Sequence, residues 1–261
     1  MAKTILITGT TDGIGLLTAQ TLAKQGHRIL LHGRNAGKLE TAANEIGGNT
    51  TSYLADFAQL DDVEAMATKI LEDQGVLDVL INNAGVLKGP VTTTASGHDL
   101  RFVVNTFAPY ILTKRLLPLM PKEGRVVNLS SAAQARVNIV AMTDGAAGVA
   151  DMDAYAQSKL AITIWSREMA KELPDGPVVV AVNPGSLLAS KMVKEGFGME
   201  GNDLAIGADI LCRAALDEEF AAASGKYFDN DAGIFAEPDL AALDVQHSTA
   251  VMDAIKAVTK A

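Results

Sequence analysis

The chain has 261 residues, 48% of them hydrophobic and 20% charged, and its 22 basic against 31 acidic side chains leave a net charge of −9. That balance argues against a nucleic-acid protein, because phosphate backbones are bound by clustered Lys and Arg and no basic stripe is visible. A single cysteine, Cys212, leaves no room for an intramolecular disulfide or a thiolate metal cluster and fits a reducing, cytoplasmic setting.

The amino end, MAKTILITGT, reaches Gly9 too early to hold the apolar core of a secretory signal. Apolar stretches such as VVVAV at 178–182 fall far below the ~18 residues of a membrane span. Short runs rich in Val, Ile and Leu follow one another: TILIT (4–8), RILLH (28–32), TSYLA (51–55), LDVLIN (77–82), RVVNLS (125–130) and VVVAVN (178–183). They are apolar on both faces, so each is expected to be covered above and below, as in a parallel sheet between helices. Helical periodicity fills the intervals, as at 15–26, at 62–75 and from His98 to Leu119, where Pro109 is expected to interrupt the helix. The predicted fold is α/β, a doubly wound Rossmann-type parallel sheet with helices on both faces, formed by residues 1–261 as one domain. Segments 132–152 and 186–202 follow strands and are expected to line the substrate side of the crevice.

Directly after the first run, TGTTDGIG at 8–15 places Gly9, Gly13 and Gly15 where a strand turns into a helix. Glycines there let the backbone approach a pyrophosphate, and the helix N-terminus offers N–H groups to it. The spacing G-x-x-x-G-x-G differs from the common G-x-G-x-x-G, so its placement carries more weight than the pattern. After the second run, where an NAD site usually has a carboxylate for the ribose hydroxyls, the chain has Gly33 and then Arg34. A guanidinium pairs with a 2′-phosphate, so NADP(H) is expected over NAD(H).

In DAYAQSKLA (153–161), Tyr155 and Lys159 are four residues apart and share a helix face. An ammonium near a phenol favours the phenolate, which would make Tyr155 an acid/base near neutrality. Ser130 and Ser131 end the fifth run, where a hydroxyl could hold a substrate oxygen. Asn105 lies among apolar neighbours in FVVNTFAPYILT and needs polar partners.

Taken in order, TGTTDGIG, GRN, Asp56, NNAG, Asn105, Ser131, Tyr155-x-x-x-Lys159 and NPG at 183–185 resemble the short-chain dehydrogenase/reductase family, in its compact branch. The resemblance implies a catalytic set of Asn105, Ser131, Tyr155 and Lys159. It implies a cofactor site of Gly9, Thr11, Asp12, Gly13, Ile14 and Gly15 on the pyrophosphate side and Arg34 at the 2′-phosphate. Asp56 would lie beside the adenine, with Asn83, Ala84, Gly85, Pro184 and Gly185 lining the cleft beside Tyr155 and Lys159. The implied chemistry is hydride transfer between nicotinamide and an alcohol or carbonyl carbon. Tyr155 would move the proton, Ser131 hold the oxygen, Lys159 lower the Tyr155 pKa and grip the ribose, and Asn105 hold a relay water. The 24 residues from Ser131 to Tyr155 are more than the compact branch usually has and resemble retinol-dehydrogenase-like members, as does YAQSKLA. Ser190 is the nearest counterpart of the threonine that often follows NPG. The family also implies a homodimer or homotetramer.

A non-catalytic dinucleotide sensor is the competing reading, and an isomerase or dehydratase needs more chain than follows residue 230. His27, His32, His98 and His247 are scattered, so no metal site is expected. Cys212 reads as a small core residue, and Trp165 as packing or a subunit contact. Met142, Met152, Met192 and Met199 suit an adaptable apolar pocket or ordinary core filling.

Overall fold

A strand that is apolar at every position can bury all its side chains only when both sheet faces are covered. The computed structural model, which describes residues 1–89, 91–145, 148–189, 198 and 200–260, resolves the pattern that way. The strands are β1 (Thr4–Ile7), β2 (Arg28–Gly33), β3 (Thr50–Leu54), β4 (Val79–Asn82), β5 (Arg125–Leu129), β6 (Val178–Asn183), β7 (Tyr227–Asp229) and β8 (Ile234–Ala236). They form one sheet in the order β3-β2-β1-β4-β5-β6-β7-β8, parallel except for the antiparallel β7–β8 pair. The order reverses between β1 and β4. In such a sheet the crevice beyond the strands' carboxyl ends at that switch point is where ligands bind.

The helices are α1 (Gly13–Lys24), α2 (Ala36–Ile46), α3 (Leu60–Asp73), a compound α4, then α5 (Ile139–Thr143), α6 (Asp151–Glu172), α7 (Leu204–Leu216) and α8 (Val245–Thr259). Alternate strand residues feed two cores. Leu6, Leu30, Leu80, Val126 and Val179 meet Ile70, Phe107, Leu160, Trp165 and Val251 on one face. Ile5, Ile29, Ile81, Val127 and Val182 meet Leu22, Ile210 and Leu211 on the other. At roughly 1.5–3 kcal/mol for each large apolar side chain fully buried, these two layers are the main favourable term.

Three expectations are corrected here. Pro109 does not interrupt its helix: α4 runs through Leu100–Phe102, a π-helical stretch Val103–Phe107 and Ala108–Leu116, and the proline sits in the first turn of the last piece. The N–H that the proline lacks is lost from the ladder, and the wider π stretch immediately before it takes up the irregularity. Trp165 is fully buried and edge-on to Tyr110, so it cannot be a subunit contact. The third run is not covered on both faces, since β3 is the sheet edge and its Ser52 and Leu54 are exposed. No helix among the described residues is long and apolar enough to cross a membrane.

Candidate active site

The glycine turn leaves β1 with Gly9 at φ +73°, a left-handed conformation that favours glycine. Its carbonyl oxygen accepts from Asn83 Nδ2 at 3.1 Å, and the same amide donates to the Thr8 carbonyl at 2.8 Å. Thr8 Oγ1 accepts from Ala84 N–H at 2.9 Å. Asn83 and Ala84 therefore stitch the ends of β1 and β4 together on the floor of the crevice. A Cβ on Gly15 would stand 2.2 Å from the Gly9 oxygen and one on Gly85 3.6 Å from Lys159 Nζ. A side chain is thus excluded at Gly15, while at Gly85 one would only touch Lys159, and the bare backbone of the turn at the N-terminus of α1 fits the pyrophosphate of a dinucleotide.

At the carboxyl end of β2, a Cβ on Gly33 would stand only 2.5 Å from Thr11 Cγ2, so the position that could carry a carboxylate is filled by the Thr11 methyl. Arg34 next to it is exposed. Asn35 caps α2, its Oδ1 accepting from Lys38 N–H at 3.0 Å. Asp56 is half-buried after β3, with its Oδ1 accepting from Ala58 N–H at 3.0 Å. Across the crevice, Pro184 and Gly185 follow β6. Their loop is held from outside, by Asn230 Nδ2 donating to the Pro184 carbonyl at 3.0 Å and by Ser186 N–H and Oγ donating to Asp231 at 2.8 and 2.5 Å.

The reactive groups meet where β5 ends against α6. Lys159 is 4% exposed and its Nζ donates to the Leu129 carbonyl at 2.7 Å, 5.6 Å from the centre of the Tyr155 ring. Burial lowers its pKa from 10.5 to about 8. Tyr155 is half-buried, and burial raises its pKa above the ordinary 10, with the nearby Ser131 side chain pulling the other way. The cofactor-free chain thus shows no depressed tyrosine pKa of the kind expected from Lys159, because the same desolvation acts on both groups.

The two serines separate cleanly. Ser130 is buried, bonded to Thr163 Oγ1 at 2.6 Å and donating to the Lys159 carbonyl at 3.2 Å, whereas the Ser131 hydroxyl is only partly buried and accepts from Ala133 N–H at 3.1 Å. Asn105, in the π-helical stretch, accepts from Val86 N–H at 2.8 Å and donates to the Val86 carbonyl and to Ser158 Oγ, both at 2.9 Å. Both its side-chain donors are taken, and they fasten α4 to α6 and to the segment after β4.

Some site residues escaped the sequence reading. Asn82 and Asn128, register partners on β4 and β5, are buried and bonded at 2.7 Å, and Asn128 Nδ2 donates to Ser166 Oγ at 2.8 Å. Amides inside apolar strands were the available signal. Tyr227 on β7 donates its hydroxyl to the Ser131 carbonyl at 3.1 Å, and Gln134 Nε2 donates to the same oxygen at 2.9 Å. Nothing in sequence spacing joins residues so far apart. In the segment after β5, Val137 and Met142 are buried in the core rather than open to a pocket, and Met152 is partly exposed. Ser190, Met192 and Met199 lie outside the described residues.

The chain matches the family model described as short chain dehydrogenase over residues 3–200. It is 33% identical to retinol dehydrogenase 13 of Homo sapiens, covering 87% of this chain and 76% of that one. It is 35% identical to an NADPH-dependent pterin aldehyde reductase of Arabidopsis thaliana, covering 76% of this chain and 79% of that one. Among solved structures, it is similar to a Shigella flexneri short chain dehydrogenase complexed with NADP. The TM-score there is 0.69 and the identity 27%, with 88% of this chain and 97% of that chain covered.

Proposed function

The chain belongs to the short-chain dehydrogenase family and is an NAD(P)-dependent oxidoreductase acting on CH–OH or C=O groups, and from that premise we propose that it prefers NADP(H) and works through Tyr155, Ser131, Lys159 and Asn105. The observation that supports this most is the buried Lys159 ammonium held 5.6 Å from the centre of the Tyr155 ring, at the end of the strand that leads into Ser131 and beside the side-chain-free position of Gly85.

When bound, the dinucleotide supplies or accepts a hydride at nicotinamide C4. In reduction, Tyr155 hands its hydroxyl proton to the carbonyl oxygen; in oxidation it takes the alcohol proton back. Ser131 donates a hydrogen bond to that oxygen and fixes it against Tyr155. The Lys159 ammonium stabilises the phenolate left on Tyr155 and hydrogen-bonds the nicotinamide ribose. Asn105 keeps the Tyr155 helix in register with the segment after β4. Gly9, Thr11, Asp12, Gly13, Ile14 and Gly15 cradle the pyrophosphate, Asp56 flanks the adenine, and Asn83, Ala84, Pro184 and Gly185 line the cleft. Arg34 pairs with the 2′-phosphate, and the Gly33–Thr11 packing keeps a carboxylate out of position 33, where it would repel that group.

The named relatives act on retinol and on pterin aldehyde, which share a primary alcohol or aldehyde on a bulky unsaturated frame. We assign the same class to this chain. The test is NADPH consumption over a panel of aldehydes and ketones. Bulky aldehydes should turn over fastest, and a Tyr155→Phe variant as fast as the parent would overturn the assigned chemistry. A parent that binds NADPH and reduces nothing would be a dinucleotide sensor. Titration with both dinucleotides checks the cofactor, where tighter NADH binding would overturn the Arg34 assignment.

A further inference from the structure

We propose that His32 is a positioning residue for the dinucleotide, its imidazole acting as a strut that joins the glycine turn to the loop after β3 and fixes Gly9 from behind. The proposal rests on reading that turn as a dinucleotide cradle. His32 lies on β2, 3% exposed, with its ring stacked on Phe57 at 4.1 Å between centres and 19° between planes. Its Nδ1 accepts from Gly9 N–H at 3.1 Å, and its Nε2 stands 3.1 Å from the Ala55 carbonyl oxygen. A carbonyl oxygen only accepts and an N–H only donates, so both contacts are satisfied by one form alone, the neutral ring with its proton on Nε2. Burial, the largest influence, lowers the His32 pKa to about 4, so this neutral ring is the form present at physiological pH.

The main chain of the same residue completes the grip. The His32 carbonyl accepts from Thr10 N–H at 2.9 Å and from Thr10 Oγ1 at 3.1 Å. Gly9 is thus held at its N–H by His32 and at its carbonyl oxygen by Asn83. Ala55, at the other end of the strut, immediately precedes Asp56. The imidazole therefore ties the part of the chain proposed to meet the pyrophosphate to the part proposed to meet the adenine. Packing alone would be served by Leu or Ile, as at Leu30 and Leu31 in the same strand; a buried imidazole costs desolvation that only its two bonds offset.

Three variants separate positioning from mere packing. His32→Asn keeps an acceptor near the Nδ1 position and gives up Ala55; His32→Gln carries an amide N–H toward Ala55 and gives up Gly9; His32→Phe keeps the stack and loses both bonds. NADPH affinity, read from cofactor fluorescence, should stay within about threefold of the parent in His32→Asn and weaken about tenfold in the other two, the worth of one hydrogen bond. Thermal midpoints of the Asn and Gln variants should fall alike, and nitrogen NMR of the parent should report the Nε2–H tautomer. If His32→Phe does not fold, the Asn and Gln pair decides. The proposal is overturned if His32→Gln binds NADPH as the parent does, if affinity follows the thermal midpoint whichever nitrogen is kept, or if the proton sits on Nδ1. A parent that binds neither NADPH nor NADH overturns the cradle reading and this inference with it; a parent that binds while the variants lose nothing overturns this inference alone.

Discussion

The glycine turn and the substrate-side segment after β5 both leave carboxyl ends of the same sheet, yet they are held in opposite ways. The turn is fixed by inward bonds to Asn83, Thr8 and His32, all within the first 85 residues. The substrate-side segment is fixed by outward ones. Arg136 pairs with Asp244 at 2.9 Å with side chains 60% and 39% exposed, Val137 N–H donates to His247 Nε2 at 3.3 Å, and Asn138 N–H donates to Gln157 at 2.9 Å. The exposed Arg136–Asp244 pair contributes ~0–1 kcal/mol, whereas breaking a bond to a buried group, such as His32 at the turn or His247 here, leaves an unpaired group that costs ~1–3 kcal/mol. The proposed pyrophosphate turn is therefore held by bonds within the amino-terminal part of the chain, whereas the proposed substrate-side segment leans on residues near the carboxyl end that the turn never touches.

Perturbing each region should separate the two roles, and the largest effect belongs to the group between them. Tyr155→Phe should slow carbonyl reduction by about 10²–10⁴-fold with NADPH affinity unchanged, as single-turnover rates and fluorescence titration would show. Gly15→Ala drives a methyl into the Gly9 carbonyl. It should destabilise the chain by about 1–3 kcal/mol in urea unfolding and cut NADPH affinity in the fraction that folds.

A third prediction concerns pH. Lys159 is held at about 8 in the folded chain against an ordinary 10.5, so between those values the unfolded state binds more protons than the folded one. Stability of the cofactor-free chain should consequently rise across that window, by up to about 3 kcal/mol, and Lys159→Met should flatten the rise in thermal midpoints. Reduction rates should fall as the ammonium is lost above pH 8. The smallest effect is expected from Arg136→Ala. It should change stability by less than about 1 kcal/mol and leave NADPH affinity alone while shifting the aldehyde KM. An equal loss of NADPH affinity would break the contrast between the regions.

How much of this could be read from the chain depended on the range of the interactions. The six long strands declared themselves by apolar runs buried on both faces, and the glycine turn by three glycines at a strand-to-helix junction. β7 and β8 span three residues each and carry too little periodicity to register. Spacing put Tyr155 and Lys159 on one face, but no spacing rule chooses Ser131 over Ser130; that choice is made by Thr163 and the Lys159 carbonyl, which engage Ser130 in the core. Asn105 was marked by its polarity among apolar neighbours, while the π-helical geometry around it was not. Spacing says of His32 only that it has no metal-ligand partner; its contacts, Gly9 and Ala55, are distant in sequence and offer only backbone.

The link from Tyr227 to the Ser131 carbonyl also has a bearing on synthesis. Ribosomes deliver the chain from its amino end, and β1 to β5 with the glycine turn emerge long before residue 227. A nascent chain can assemble its dinucleotide cradle while the Ser131 carbonyl still lacks Tyr227 and the loop after β6 still lacks Asp231. The proposed substrate face and the Pro184–Gly185 side of the proposed cofactor cleft are thus the last to be finished, and a chain released early would hold every proposed reacting group while lacking these supports.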